Sequence, residues 1–471
     1  MPKPLLNYSP NFENTNISTL KFEYNVKDFN VVFGSIYEQF GSGTSLRTWE
    51  DKSLGINNSL LGLNVNYKLT DEINLTSLIG QQKKGFKYSK GFVFGLDSEI
   101  DISQLIDSNS TFLFGLSYVG RNDQEIKSES FDNLTNLYSA RIDYSGNSFY
   151  TNLEITQKSN NPILVFGTPS DTFIKKGSAY LLNTGFFNKG LGLDFTFRRL
   201  ENMTLYSEIA AAGNEFNESI VNYLPALTKQ HDYSLTNLYV YAAQPDVNFY
   251  VEDLTKAGEI GFQFEFYVKL KKNSFFGGKT GADLNINISN FNNLSGDFSF
   301  EEKSYDLDFL NFGQTYFSEQ SVNLTKDFSN NFSSIFVFIN RYYNKRLVEQ
   351  STGKVNSKII VIDNIFNIND TQSIEFDIQH LFNTNDKKNW FGTGVEYNLN
   401  FKNSIFGSYS NNYGNNKQKS FYYNLGVSRT IKNGLFSISY GKQRGGIACF
   451  GGICKYYPEY TGVSGTLSLN F

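Results

Sequence analysis

Apolar and polar residues alternate one by one along most of this chain, from about Leu20 to the final residue, Phe471. A period of two belongs to an extended strand, whose successive side chains point to opposite faces. Leu20, Phe22, Tyr24 and Val26 form one apolar row and Phe29, Val31 and Phe33 another, with only Lys27-Asp28 between them. Two such rows and a tight turn read as a hairpin. The pattern returns at Leu61 to Leu69, Phe92 to Leu96, Phe112 to Tyr118, Leu191 to Phe197 and Ile260 to Val268. It continues at Leu284 to Ile288, Ile335 to Ile339, Ile374 to Ile378, Phe391 to Leu399 and Phe436 to Tyr440. Asn, Ser, Asp, Glu, Lys and Gly fill the alternate positions, so each strand has one apolar and one polar face.

Composition narrows the class. The 45 Phe and 30 Tyr favour strands, and only eight Pro interrupt them. No stretch approaches the roughly 18 to 20 apolar residues of a membrane-spanning helix. The mean hydropathy of −0.36 suits a barrel, in which only every second strand residue faces lipid. With a net charge of −4 and no polybasic segment, nucleic acid is not an expected partner.

A soluble β-sandwich also alternates, and the connections separate the two architectures. Short ones (Lys27-Asp28, Thr70 to Glu72, Ser145 to Asn147, Asn188 to Gly190, Ser329 to Asn331, Lys432 to Gly434) alternate with long polar ones. The long ones are expected at 38–58, 80–91, 120–135, 156–178, 198–233, 290–314 and 442–461. Short turns at one end and long loops at the other are the asymmetry of an outer-membrane barrel. The expected fold is therefore all-β, one large antiparallel transmembrane barrel of about 22 strands at roughly ten residues each. Direction adds a constraint: a first strand running inward and a last ending in the periplasm require an odd number. In the last strand Val463, Gly465, Leu467, Leu469 and Phe471 alternate with polar residues. Leu467, Leu469 and the terminal Phe471 resemble the signal that barrel-assembly machinery reads, which makes that machinery and membrane lipid the expected partners.

Few residues suggest chemistry. Cys449 and Cys454 flank Phe450-Gly-Gly-Ile453 in the last long loop, a spacing that suits a small disulfide-closed loop and offers too few ligands for a metal. The two histidines, His231 and His380, have no serine spaced to make a hydrolase pair. Gln39 to Gly43 lacks the following Lys and helix of a phosphate loop and reads as a hinge or plain loop. No enzyme activity, cofactor or metal is expected. Charged residues gather at loop bases: Arg47, Glu50, Asp51, Arg198, Arg199, Glu201, Lys229, His231, Arg341 and Arg444. In a barrel such residues either fix inward-folded loops and set the field in the lumen, or form solvated pairs.

Several segments together resemble an uncharacterised family of Bacteroidota outer-membrane proteins, DUF6029. They are Tyr8 to Phe12, Tyr37 to Gly43 with Arg47 to Asn57, Phe197 to Met203, Ala212 to Asn214, Val221 to Tyr233, Lys387 to Trp390 and Tyr440 to Gly446. The resemblance implies a fold and an outer-membrane location, and no settled activity. It also implies further strands before Tyr8, so residues 1–471 are expected to be a single barrel domain with 1–16 a loop left by missing upstream strands. Met1 to Tyr8 shows no secretory signal, in keeping with that expectation. The expected function is a porin-like channel or transport barrel for small hydrophilic solutes. The alternative is a structural barrel presenting its loops to a surface lipoprotein or secretion component, with an outer-membrane hydrolase ranked last.

Overall fold

The computed structural model describes residues 9–12, 15–51, 55–106, 110–126, 128–210, 219–351, 353–416, 419–450 and 453–469, without the side chains of 448–450 and 453–455. Phe471 and residues 1–8 lie outside the described residues. Twenty-one strands form one antiparallel sheet. They are β1 (Lys21–Val26), β2 (Phe29–Ile36), β3 (Leu60–Lys68), β4 (Ile73–Lys84), β5 (Lys87–Asp101), β6 (Thr111–Asn122), β7 (Leu134–Ser145), β8 (Phe149–Val165), β9 (Thr168–Asn188) and β10 (Leu191–Glu201). The wall continues with β11 (Glu259–Leu270), β12 (Ala282–Ser299), β13 (Ser304–Asp327), β14 (Phe332–Tyr343), β15 (Val355–Asn369) and β16 (Gln372–Asn383). It ends with β17 (Trp390–Asn400), β18 (Asn403–Asn411), β19 (Phe421–Ile431), β20 (Gly434–Gln443) and β21 (Tyr460–Leu469). Each pairs with the next along the chain, an up-and-down meander.

Residues opposed across a strand pair share a face. Phe22 stands opposite Phe33, Phe33 opposite Leu63, Leu63 opposite Ile79 and Ile79 opposite Phe94. The outward row is apolar and bare: Phe33 is 60% exposed, and on the last strands Leu425 and Val463 are 65% and 64% exposed. A belt of that kind around a whole sheet is intolerable in water and natural in a bilayer. No helix among the described residues is long and apolar enough to cross a membrane.

The short turns fall at one end, where expected, and the long connections at the other. Three expected loops are strands instead. Residues 80–91 continue the β4–β5 ladder, 156–178 the β8–β9 ladder and 290–314 the β12–β13 ladder, in strands as long as 24 residues for β13. Beyond the bilayer both faces meet water or protein, so the apolar row lapses while the backbone ladder continues. The connection expected at 198–233 is longer, running from 202 to 258.

β1 and β21 both run from the long-loop end to the short-turn end, and among the described residues no pairing joins them. Twenty-one is odd, as the direction argument requires, and one below the count of about 22. Hydrocarbon does not tolerate open sheet edges.

Candidate functional site

A barrel this wide has a lumen large enough for water or a plug. Here the chain fills the long-loop end of its own lumen with two segments. Residues 37–59 carry two short ribbons, Gln39–Phe40 with Leu46–Arg47 and Glu50–Asp51 with Ile56–Asn57. Residues 202–258 carry a third, Val247–Asn248 with Lys256–Ala257. The two segments join edge to edge, Arg47 N–H donating to Val221 O at 2.9 Å and Tyr223 N–H to Gly43 O at 2.9 Å. Met203, Leu205 and Val221 pack with Ile36, Leu78, Val93, Val119 and Leu137 of one wall. Leu235, Leu238, Tyr239 and Tyr241 pack with Phe291, Phe317, Val337, Ile359 and Leu381 of the other.

Polar contacts hold the first arm, near 203–224. Lys158 donates to Thr204 O at 3.1 Å, Arg121 to Tyr206 O at 3.4 Å, and Asp123 accepts from Ile209 N–H at 2.6 Å. Lys84 pairs with Glu208 at 2.7 Å. The second arm is held by a buried charge cluster. Glu319, with no exposed side-chain surface, takes His231 at 2.8 Å on one oxygen and Arg341 at 2.6 Å on the other. Arg341 also donates to Thr236 O and Tyr239 O at 2.6 and 2.8 Å. Beyond it, Gln379 accepts from Leu235 N–H at 2.9 Å and Tyr233 donates to Asp363 at 3.1 Å. Removing one partner of such a cluster leaves a buried charge uncompensated, which costs far more than the pair itself stabilises.

The charged residues expected at loop bases have several fates. Arg198, pointing inward, pairs with the fully buried Glu259 at 2.6 Å, and Glu259 also accepts from Tyr241 and from Gln244 N–H. Lys229 reaches Glu265 at 3.1 Å, and Arg444 donates to Asn237 O at 2.8 Å. The Arg47 guanidinium lies 3.8 Å from the Tyr223 ring centroid and 5.5 Å from that of Trp49. Glu50 accepts from Asn57 at 3.0 Å, and Asp51 pairs through the backbone with Ile56. Arg199 and Glu201 depart from the expectation, because they face outward with Phe197 and pair at 3.1 Å. The β12–β13 hairpin, bent by register shifts between Phe291 and Gly296, folds over them, and Arg199 donates to Phe309 O at 3.0 Å. A glycine is required at that bend, since a Cβ on Gly296 would stand 2.1 Å from Asp306 O.

His380 also faces outward, beside Ile378 and Phe382, and bonds Tyr413 at 2.7 Å. Cys449 lies opposite Cys454 in the backbone register of a hairpin between β20 and β21. Leu467 and Leu469 are exposed on β21. The Gln39 to Gly43 stretch is a fixed turn rather than a hinge: Gly41 and Gly43 have φ of 53° and 92°, and Ser42 N–H donates to Glu154 at 2.8 Å.

Sequence reasoning missed Glu259 and Glu319, each the acceptor of an arginine in the cluster, because both stand at inward positions where a polar residue is unremarkable. It also missed an acidic stripe nearer the short turns. Asp363 stands opposite Asp377, and Glu375 opposite Glu396, all facing inward. Among the described residues none of these four has an ion-pair partner within 4.0 Å.

Fold and lumen together define a transmembrane β-barrel whose mouth is filled by its own loops. The whole chain, residues 1–471, matches the family of unknown function DUF6029 and belongs to it. No curated protein matches it. Among solved structures it is similar to the ferric-catecholate import receptor Fiu of E. coli K12 in its open form, at 10% identity and a TM-score of 0.36, over 95% of this chain and 78% of that one. It is also similar to the siderophore receptor PiuA of Acinetobacter baumannii, at 9% identity and a TM-score of 0.35, over 94% of this chain and 80% of that one. The copper transporter OprC gives 10% identity and a TM-score of 0.36, over 92% of this chain and 76% of that one.

Proposed function

We propose that this protein is an outer-membrane transport barrel for small hydrophilic solutes, gated by movement of residues 202–258. The observation that carries the reading is the way the second arm is fastened: by hydrogen bonds, ion pairs and packing, all reversible, at the long-loop end of an otherwise polar lumen. In this reading the long loops face outward, the short turns face the periplasm, and barrel-assembly machinery engages the β21 row containing Leu467 and Leu469. Asp363, Glu375, Asp377 and Glu396, with no ion-pair partner among the described residues, give the lower lumen a negative field that favours neutral and cationic solutes over anions.

The test is a tether. Ser234→Cys with Gln379→Cys, in a background with both native cysteines changed to Ser, joins the second arm to β16, since Ser234 Oγ donates to Gln379 at 3.2 Å. In liposome-swelling assays with a small neutral solute, entry is expected after reduction and not after oxidation. Equal entry in the two states, or none in either, removes the reading.

A second reading has its own observation. β8–β9 and β12–β13, at 17, 21, 18 and 24 residues, exceed the roughly 9 to 11 residues that cross a bilayer. They project with exposed rings such as Phe166, at 77%. A barrel presenting these hairpins to a surface lipoprotein or secretion component would co-purify with that partner from native membranes and stay closed in the swelling assay.

A further inference from the structure

Between the first arm, the third ribbon and the upper end of β8 lies a cavity of about 600 Å³, within the range of small-molecule sites. Four aromatic side chains, Trp49, Tyr206, Tyr223 and Tyr250, reach its wall from three separate stretches of chain. Three of them are held in place from behind: Arg47 stacks on Tyr223 and Trp49, and Phe166 stacks on Tyr250 with centroids 5.0 Å apart. Charge on the wall is balanced. Among the described residues lining the cavity, Lys256 is the one cation and Asp246 the one anion. The Lys256 ammonium is already spent, donating to Gln244 at 2.5 Å and to Leu347 O at 2.8 Å. Asp246 is less engaged: its Oδ1 accepts from Thr204 N–H at 3.3 Å, a long bond.

We propose that this cavity binds a neutral, polyhydroxylated solute, a short saccharide, on its way into the lumen. The proposal rests on the transport reading for its purpose and on the cavity for its chemistry. The C–H faces of a pyranose carry partial positive charge and pack against the negative faces of aromatic rings. Its hydroxyls need both donors and acceptors: the Asp246 carboxylate and the Asn202 carboxamide oxygen accept, and the Asn248 carboxamide and the Tyr250 hydroxyl donate. An anion finds no free cation here. An organic ammonium ion would find rings and one carboxylate, but also the Lys256 charge on the same wall.

Trp49 makes the test direct, because the chain has only two tryptophans. In W390F, Trp49 is the sole reporter, and full-length protein in detergent is titrated with maltotriose, cellotriose and xylotriose, with choline chloride and inorganic phosphate alongside. At least one trisaccharide is expected to shift Trp49 emission saturably, and D246N to weaken that binding at least tenfold while keeping the heat-modifiable gel migration of a folded barrel. Y206F, which retains the ring, is expected to bind within threefold of the parent. Silence from all three sugars, a response to choline or phosphate alone, or full binding by folded D246N overturns the proposal. Solute entry without sugar binding defeats this proposal alone; sugar binding by a barrel that admits nothing defeats the transport reading alone.

Discussion

At the scale of single residues, charges placed where water does not reach hold the second arm to the wall. Arg341 holds Glu319 and two carbonyls of the second arm at once. Arg341→Ala leaves the buried Glu319 without its guanidinium partner and with the His231 imidazole as its remaining side-chain contact, at a cost of about 3 to 5 kcal/mol. Limited proteolysis of the folded barrel is expected to cut within 229–250 in this variant and not in the parent; equal protection would contradict the anchoring role. Lys256 adds a dependence on pH. Burial pushes its ammonium down to about 8, against the pull of Asp246 and Glu259. The unfolded chain holds that proton up to about pH 10.4, so stability rises with pH between these values and is lost again as pH falls through about 8. Lys256→Met is expected to flatten that rise in thermal-unfolding midpoints measured from pH 7.5 to 10; an unchanged slope would contradict it. At the other end of the loop region, two residues separate Phe450 from Ile453, so the pair opposed beyond them, Cys449 and Cys454, occupies a non-hydrogen-bonded site with Cα atoms roughly 4.5 Å apart. We propose that they form a disulfide, which mass spectrometry reads as protection of both thiols from alkylation until reductant is added. Alkylation of both without reductant would remove the bridge.

At the scale of elements, the alternation that announces Leu61 to Leu69 or Ile260 to Val268 is legible because lipid demands an apolar residue at every outward position. The same rule hides the ladder at 156–178 and 290–314, where no lipid acts and the polar sequence reads as loop although Thr168–Asn188 and Ser304–Asp327 are strands. Charge clusters at loop bases are also legible, but not their partners: Arg198 and Arg199 are neighbours in sequence and face opposite sides of the wall. The first and last strands carry a prediction of their own. Since β1 and β21 run the same way and no pairing joins them among the described residues, cysteines placed outward at Tyr24 and Val463 are expected not to cross-link in native membranes. Efficient cross-linking would show that the two edges close directly on each other.

At the scale of the whole molecule, the barrel was legible and its filling was not. Strand count, direction and loop asymmetry are properties of a repeating local pattern. Whether a 57-residue polar connection lies over the mouth or descends into it depends on contacts such as Leu235 with Gln379, 144 residues apart, that no local pattern records. The inward carboxylates on β15 to β17 give the open state a sign: under a salt gradient, its reversal potential is expected to favour potassium over chloride, and neutralising Asp377 and Glu396 to reduce that preference. The central claim, that residues 202–258 are a gate, is tested most directly by single-channel current through the full-length protein. It is compared with a variant in which a short Gly-Ser linker replaces 203–257. The wild type is expected to stay closed with rare openings and the variant to conduct steadily. A wild type that conducts as steadily as the variant, or a folded variant that stays closed, would contradict it.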